Sequence, residues 1–504
     1  MTVSSRHKPT AAVLGGSISG LMASLLLNKK GFTVTLYEKR PDYNRNIQWT
    51  CRQFFIDYLS HINEKIAEEF VSLVSPIENG FRRLSDKSLK FPNGAYSHTE
   101  MPGPKQDRTP DEQRAACAEA LRIPAEEAFR KYLPVGIVRT QLLEKFLREK
   151  IESLKPKVHI IYDDAPHCEL DDTGDEYTLV DSVTGVKTSY DLIVVCEGAK
   201  STTREDVRIK SIPLSRMRKQ VSGDVKQPRH GMIIQYQHAK KDKQNEKDQT
   251  YTEFMLSLVL STNDTKQSCW VIGDVSSERA AEIDELALKI KKAKGEIERL
   301  TSAIRKAKPG AVRSGLENEK AKIRAEKLAL ETAKANVEEL EFRKIAARTM
   351  LDTERNIERA GVKGAIGVKK VQSFGIQAKI SNTAFAGRNL VLAGDAVGEG
   401  HWSVGGGMHV AGMFHQRHLD RLADVLITRP AQDKKLKALK TYSSGVLDDT
   451  KTWIMLGIRD YYLSVPEEIL RREFEPLLDE VLKSGVDIDV PERLKEKVAA
   501  KYFD

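Results

Sequence analysis

The sequence predicts an α/β protein with a parallel sheet, an antiparallel sheet, a long helical hairpin and a helical C-terminal region. Three observations predict this fold: buried-strand patterns followed by glycine or acidic residues, short strand patterns in mid-chain, and apolar residues at heptad spacing after residue 283. The chain has 504 residues, of which 40% are hydrophobic and 30% charged. At ~150 residues per domain, this length predicts about three domains.

Charge and cysteine content argue against several protein classes. The net charge of +9 comes from basic residues spread along the chain without a long block, so we expect no nucleic-acid partner. The five cysteines lack CxxC spacing, which argues against a zinc site or a disulfide framework and favours a reducing cytoplasm. No apolar run reaches the ~18 residues of a membrane span. Glycines interrupt the apolar stretch 11–27, which argues against a signal peptide. We therefore expect a cytoplasmic location.

The N-terminal segment has the pattern of a βαβ unit. A turn with the sequence GGSISG joins a short apolar strand to a helix, and Glu38 ends the next strand. Gly15 permits a tight turn, the small Ser17 lets the backbone approach a pyrophosphate, and Gly20 lets helix and strand pack closely. A carboxylate at the Glu38 position can accept hydrogen bonds from ribose hydroxyls. This segment therefore predicts dinucleotide binding.

Two later segments share the strand-then-turn pattern. The first, 191–204, has the sequence DLIVVCEGAKSTTR, and the second, 389–404, has NLVLAGDAVGEGHWSV followed by three glycines. Asp395 follows the buried strand of the second segment, where a carboxylate could meet a polar cofactor chain. The glycines precede a predicted helix, whose N-terminal amides could face the electron-rich end of a flavin ring.

The three segments resemble the fingerprints of class A FAD-dependent monooxygenases, which have the para-hydroxybenzoate hydroxylase-like fold. Residues 38–46 and 394–407 are most similar to MICAL-type monooxygenase domains. The resemblance covers roughly 10–205 and 370–425. It implies a Rossmann-like FAD-binding domain, reduction by NADPH or NADH, oxygen activation as a flavin C4a-hydroperoxide and a small-molecule substrate.

The resemblance also implies site residues. Trp402 would lie beside the flavin, and Trp49 would lie on the active-site wall or, alternatively, in the core. His401 would serve either as an acid–base group or as a packed residue. The cofactor-binding residues that the resemblance implies are Gly15, Gly16, Ser17, Ile18, Ser19, Gly20, Glu38, Lys39, Arg40, Arg52, Arg139, Gln141, Asp395, Gly405, Gly406, Gly407 and Met408.

Other functions of this fold are open. A flavin-dependent halogenase should contain a W-x-W-x-I-P stretch, and none of the four tryptophans lies in one. A FAD-containing cyclase or reductase is an alternative, as is a flavoprotein that acts as an interaction module through its coiled coil. The intact glycine turns and Asp395 favour an enzyme. Hydroxylation, N-oxidation and oxidative rearrangement all fit the sequence.

The middle of the chain predicts an antiparallel coiled-coil hairpin. Apolar residues recur at a and d positions over 283–307, and a proline–glycine pair at 309–310 ends the first helix. In the second helix, Glu319 and Glu326 are predicted to face the first. This asymmetry favours a homo-oligomer or a protein partner that covers the first helix; the alternative is an intramolecular strut that packs on the protein's own substrate domain.

The sequence thus predicts four regions. The FAD-binding domain comprises 1–205 and 370–425, the substrate domain comprises 206–276 and 361–380, the hairpin spans 277–360, and the helical C-terminal region spans 426–504. The antiparallel sheet of the substrate domain is expected from strands at 231–238, 251–261, 268–273 and 371–380. Trp453 is predicted to anchor the C-terminal region in the core.

Overall fold

The computed structural model describes residues 8–43, 48–74, 81–83, 104–132, 134–155, 158–163, 165–181, 183–213, 218–226, 233–238, 253–260, 268–275, 277–357, 367–376, 378–400 and 406–461. The predicted site residues His401, Trp402 and Gly405 lie outside these residues. The predicted C-terminal region beyond residue 461 also lies outside them.

The strands of the described residues are β1 (Thr10–Leu14), β2 (Thr33–Tyr37), β3 (Gln48–Arg52), β4 (Phe81–Arg83), β5 (Pro134–Arg139), β6 (His159–Ile161), β7 (His167–Leu170), β8 (Tyr177–Val180), β9 (Lys187–Ser189), β10 (Leu192–Val195), β11 (Ser211–Pro213), β12 (Arg218–Lys226), β13 (Ile233–His238), β14 (Glu253–Leu260), β15 (Ser268–Asp274), β16 (Gly367–Ile376), β17 (Lys379–Ser381), β18 (Phe385–Ala386), β19 (Leu390–Leu392) and β20 (Gly398–Glu399).

The α-helices are α1 (Ile18–Lys29), α2 (Gln53–Ile62), α3 (Glu64–Val71), α4 (Pro110–Ala120), α5 (Ala125–Lys131), α6 (Thr140–Glu152), α7 (Thr202–Asp206), α8 (Ser277–Lys306), α9 (Ala311–Ile357), α10 (Gly406–His409), α11 (His415–Leu426) and α12 (Gln432–Tyr461). A 3₁₀ turn covers Gly394–Ala396, and a π-helical turn, Val410–Phe414, joins α10 to α11. None of the described helices is long and apolar enough to cross a membrane.

A six-stranded sheet in the order β18-β19-β10-β1-β2-β6 forms the centre of the first region. All its pairs are parallel except β18–β19. The apolar residues of β1 and β10 are buried, which is typical of a parallel sheet covered on both faces. The predicted Rossmann-like βαβ unit is confirmed. Because the chain proceeds from β1 to one side and returns through β10 on the other, a topological switch point lies between these two strands.

The second large sheet has the order β16-β12-β15-β14-β13-β4 and is antiparallel except for the parallel pair β13–β4. Strands occur near all four predicted positions, but 371–380 contains parts of two strands rather than one. Of these, β17 belongs to a separate three-stranded sheet with β11 and β20. The sequence analysis missed β12, although this strand pairs with both β15 and β16, because its sequence RKQVSGDVK is too polar for a strand pattern.

Helices α8 and α9 form an antiparallel pair. Arg279 Nε near the start of α8 lies 3.6 Å from Glu341 Oε1 in the later part of α9. At the base of the pair, Ile283 and Phe342 are fully buried. The Ser373 amide of β16 donates to Glu338 Oε1 at 3.2 Å, so the base packs on the second large sheet.

The predicted contact face of α9 is wrong in one respect. Glu319 and Glu326 are exposed, whereas Lys320 and Lys327 are partly buried. From the partly buried Leu316 onward, the positions of α9 that face α8 are spaced alternately four and three residues apart. This spacing brings Lys320 and Lys327 to the interface. Long lysine stems can cover apolar surface while the ammonium groups remain in water. The argument for an uncovered apolar stripe therefore weakens, and self-association through the hairpin stays a prediction.

Candidate functional site

The turn between β1 and α1 has no space for a side chain at two of its glycines. Gly15 has φ +98°, and a Cβ on this residue would lie 2.6 Å from the carbonyl oxygen of Cys196. A Cβ on Gly20 would collide with the carbonyl oxygen of Gly15. Because both obstacles are backbone atoms, a small side-chain rearrangement cannot relieve them. The turn therefore requires glycine at both predicted positions.

The N-terminus of α1 can accept an anion. Its N-cap is Ser17, whose side chain makes no capping hydrogen bond to the described residues, and its first turn has no acidic residue. The positive end of the helix dipole is thus not neutralised by a local carboxylate. The helix is buried from Ile18 to Asn28, Ser19 included, which fixes the turn against the sheet.

The carboxylate of Glu38 lies beside this turn, and its role as a ribose-binding acid stays a prediction. Its Oε2 accepts a hydrogen bond from the Gly16 amide at 2.7 Å, and its Oε1 accepts from the amide and Nε of Arg40 at 2.8 and 3.1 Å. Each carboxylate oxygen can accept about two hydrogen bonds, so Oε2 can still accept from a hydroxyl. Lys39 is exposed. The sequence analysis missed Tyr43, whose hydroxyl donates to the Gly16 carbonyl oxygen at 2.6 Å.

The structure brings the late GDA segment onto the start of α1. Gly394 has φ +62°, and a Cβ there would lie 2.9 Å from Cβ of Ser19. Asp395 is partly exposed in the 3₁₀ turn beside this contact. The first and third predicted segments therefore meet at the carboxyl edge of the parallel sheet.

The middle segment connects these two, but its acid has a structural role. Glu197 accepts hydrogen bonds from the Ser201 hydroxyl at 2.6 Å and from the amide and hydroxyl of Thr203 at 3.1 and 3.0 Å. These bonds hold the first turn of α7. The buried Arg204 donates to the carbonyl oxygens of Ala199 at 2.9 Å and Ala396 at 3.2 Å, which ties the middle segment to the GDA segment.

The sequence predicts one regular helix after the glycines, but the structure has α10, a π-helical turn and α11 in its place. A π-helical turn, Val410–Phe414, follows α10, and such turns often mark functional sites. Within it, a Cβ on Gly412 would lie 3.0 Å from the ring of Phe55 and 3.1 Å from Ile18. Met408, predicted to contact the cofactor, is partly exposed just before this turn.

The Trp453 side chain covers the glycines that begin α10. A Cβ on Gly406 would overlap the indole and lie 2.7 Å from its Nε1, and a Cβ on Gly407 or Gly400 would lie 3.0 Å from its six-membered ring. The prediction that Trp453 anchors α12 in the core is confirmed, since the residue is 5% exposed. Its contact with the glycines was missed because α12 is distant in sequence and a single sequence gives no signal for it.

The arginines predicted at the cofactor are far apart. Strands β3 and β5 pair antiparallel, with Gln48 opposite Arg139 and Arg52 opposite Pro134. At ~3.3 Å per residue, Arg52 and Arg139 lie about 13 Å apart along this ribbon. Gln141, which follows in α6, is exposed.

Arg52 itself points into the protein. It is 2% exposed, its guanidinium lies 5.1 Å from the ring centre of Phe129, and its Nε donates to the Tyr132 carbonyl oxygen at 3.0 Å. These contacts give Arg52 a packing role. Cofactor contacts by Arg52 and Arg139 stay predictions.

Trp49 lies in an aromatic cluster. It is 3% exposed, with ring centres 4.9 Å from Phe55 and 4.7 Å from His409. Its Nε1 donates to His409 Nδ1 at 3.4 Å. Of the two interpretations of Trp49, this placement supports the core interpretation. A catalytic role for Trp49 stays a prediction.

A buried histidine that the sequence analysis did not single out holds the GDA segment. Gly394 donates its amide to His415 Nδ1 at 2.9 Å, and the other ring nitrogen lies 2.9 Å from Thr450 Oγ1. Because Nδ1 accepts, the neutral ring carries its proton on Nε2 and donates to Thr450, whose hydroxyl donates to the Val446 carbonyl oxygen at 2.8 Å. Complete burial lowers the pKa of His415 to about 3.

This lowered pKa predicts acid sensitivity. An unfolded histidine takes up a proton below its ordinary pKa of about 6.5, whereas folded His415 stays neutral until about pH 3. The stabilisation is therefore present above about pH 6.5 and is lost as pH falls, by about 1.4 kcal/mol per pH unit for one proton. Urea unfolding at about pH 7 and about pH 5 should show His415→Gln losing less stability on acidification than the unmodified protein. Equal losses would contradict the assignment.

Comparison with known proteins adds to this geometry. The NAD(P)-binding Rossmann-like domain profile matches residues 13–48. Among solved structures, the chain is similar to the flavin-dependent halogenase CmlS, with 12% identity and a TM-score of 0.57 over 99% of this chain and 71% of that one. It is also similar to the flavin-dependent brominase Bmp2, with 11% identity and a TM-score of 0.55 over 97% of this chain and 98% of that one.

A third similar structure is p-nitrophenol 4-monooxygenase PnpA from Pseudomonas putida DLL-E4, with 15% identity and a TM-score of 0.51 over 97% of this chain and 98% of that one. The chain has the fold of these enzymes. In this fold, the glycine turn, Glu38 and the GDA segment share one edge of the parallel sheet. No curated protein sequence matches the chain.

Proposed function

We propose that the protein is an FAD-dependent, NAD(P)H-driven monooxygenase that acts on a small organic molecule. The observation that carries the proposal is the meeting of three segments at the carboxyl edge of the sheet. Gly15 lies against Cys196, Gly394 lies against Ser19, and Arg204 connects the middle segment to the GDA segment. A switch point with a glycine turn is the place where doubly wound sheets bind dinucleotides.

The residues present fit FAD. The Gly15 turn and the α1 N-terminus would hold the pyrophosphate, Glu38 the adenosine ribose, and Asp395 the ribityl region. Gly406 to Met408 would face the flavin edge. When bound, FAD supplies the transfer of electrons from NAD(P)H and the activation of oxygen. The chain's own contribution is to bind the phosphates through amides, orient the ribose through Glu38, and hold the glycines through Trp453.

Finer features of the sequence belong to the same proposal. The similarity to MICAL-type domains supports Trp402 as the residue beside the flavin. The position of His401 before the glycine run supports it as an acid–base group. The division into a discontinuous FAD-binding domain, a substrate domain, a hairpin and a C-terminal region agrees with the order of the sheets. The heptad spacing of α8 and α9 supports coiled-coil packing between them.

Halogenation is the second candidate, because two of the similar structures are a halogenase and a brominase. The fold is common to both reactions, so the choice depends on the sequence. None of the four tryptophans lies in a W-x-W-x-I-P stretch. This absence favours the monooxygenase.

The test uses the purified full-length protein. We expect the protein to show a flavin absorption spectrum and the cofactor released from it to be FAD. We also expect the protein to consume NADPH or NADH, and one member of a panel of aromatic and amine compounds to accelerate this consumption. Mass spectrometry should show a product that has gained one oxygen atom. Protein purified without flavin, even after incubation with FAD, would contradict the proposal. A brominated product formed only with bromide would assign a halogenase, and flavin reduction with no oxygenated product would assign a reductase or cyclase.

A further inference from the structure

The end of the helical pair carries an unusual concentration of charge. Residues 299–324 contain eight lysines and arginines and two glutamates, a net charge of +6 in a chain whose total is +9. Within this segment, residues 305–313, here called the hairpin tip, carry four cations and no carboxylate. Residues 299–324 therefore carry a local excess of positive charge.

Two lysines on the shaft of the hairpin have acidic partners, whereas three of the four cations at the tip form no ion pair with the described residues. On the shaft, Lys289 lies 2.6 Å from Glu285, and Lys327 lies 2.9 Å from Glu331, each pair one helical turn apart. Such pairs stabilise an exposed helix. The charges of these two lysines are thus explained by the helices that carry them.

At the hairpin tip, Arg305, Lys306 and Lys308 are exposed and form no ion pair with the described residues. Arg313 pairs with Glu317 at 3.1 Å but remains exposed near the start of α9. A cation in the first turn of a helix opposes the helix dipole, and α9 has no acidic residue there. Arg313 is therefore paired within its own helix but stays accessible from outside.

The hairpin tip is also far from the sheets. The base of the pair contacts β16 through Glu338, and α9 begins at Ala311. At ~1.5 Å per residue, the intervening part of α9 is about 40 Å long. Val312 at the tip is 74% exposed, next to Pro309, Gly310 and Ala311. An exposed apolar residue surrounded by cations is complementary to a surface that has anionic groups on the outside and an apolar layer beneath them.

We propose that the hairpin tip docks the protein on an anionic membrane surface. The four cations attract acidic lipid headgroups, and Val312 enters the interface between them. A nucleic acid offers the same phosphate charge, but within residues 305–313 there is no aromatic side chain to stack on bases and no exposed amide to contact them. Each cation near a charged bilayer strengthens binding by about fivefold, so the tip supports weak, reversible docking that salt screens.

The experiment measures co-sedimentation of the full-length protein with phosphatidylcholine vesicles that contain or lack phosphatidylserine. The tip variant replaces Arg305, Lys306, Lys308 and Arg313 with alanine, and the matched shaft variant replaces Lys289, Lys291, Lys292 and Lys294 with alanine. We expect binding only with phosphatidylserine, a loss of at least about a hundredfold in the tip variant, and a loss below about tenfold in the shaft variant. Val312→Ser should weaken binding several-fold.

Circular dichroism should be the same for all variants, which separates docking from folding. Equal binding to both kinds of vesicle would overturn the proposal, as would equal losses in the tip and shaft variants. Unchanged binding by the tip variant would also overturn it. Duplex DNA and soluble phosphatidylserine headgroup are also compared as competitors of vesicle binding. If the DNA displaces the protein from the vesicles at the lower concentration, the partner would be a nucleic acid, and the membrane proposal would be overturned.

Discussion

Replacing Gly20 with alanine should give a protein that no longer retains FAD. The added Cβ would collide with the carbonyl oxygen of Gly15, so the turn must shift and its amides must move away from the pyrophosphate. Displacement of these amides should weaken FAD binding by about 3 kcal/mol or more, a factor of at least about a hundred. The flavin-to-protein absorbance ratio and titration of the apoprotein with FAD measure the effect. Gly15→Val should behave in the same way.

A matched control exists in the hairpin. A Cβ on Gly295 would meet no atom within 4 Å. Gly295→Ala should therefore leave FAD binding unchanged and stabilise α8 by up to about 1 kcal/mol. If Gly20→Ala retained its FAD with unchanged affinity, the glycine turn would not be the pyrophosphate site.

The second large effect concerns Gly406 and Trp453. Gly406→Ala should destabilise the protein, because its Cβ would overlap the indole, and overpacking of this kind costs about 1–3 kcal/mol. Trp453→Ala should cost about 3–5 kcal/mol through the lost core contacts. In the double variant the added methyl enters the space that the indole leaves. The double variant should therefore be more stable than the sum of the single effects predicts, by about 1 kcal/mol or more.

Urea unfolding of the four proteins gives the coupling energy, and FAD titration of each gives its effect on the site. Additive stabilities would contradict a direct contact between Gly406 and the indole. If Trp453→Ala folded and bound FAD with full affinity, Trp453 would be a core residue without influence on the site. We expect FAD affinity to fall with Gly406→Ala and to recover in part in the double variant.

The predictable parts of the fold depend on local patterns. The β1–α1–β2 unit could be predicted because the turn glycines, the buried strands and Glu38 lie in one short segment and each has a physical requirement of its own. The two long helices α8 and α9 could be predicted because apolar residues recur along each of them, and coiled-coil packing between them stays a prediction. The position of Gly394 beside Ser19 brings the first and third segments together.

The parts that could not be predicted depend on contacts between distant elements. Polar β12 is a strand because β15 and β16 supply its hydrogen bonds, and its own pattern carries little information. The face of α9 that contacts α8 is set by tertiary packing. Lys320 and Lys327 lie on this face, whereas the glutamates that were expected there are exposed. Trp49 and Arg52 follow Glu38 closely in sequence, yet tertiary packing buries both in the protein.

The contact between Trp453 and the glycines has a consequence for the synthesis of the protein. The glycine turn after β1 leaves the ribosome early, but its partner segment with Gly394 and the covering Trp453 leave only after the hairpin has been made. A nascent chain therefore lacks part of the proposed cofactor site throughout most of its translation. If this site holds FAD as proposed, the cofactor would be captured only after α12 is made, because any chain that stops before Trp453 lacks the cover of its glycines.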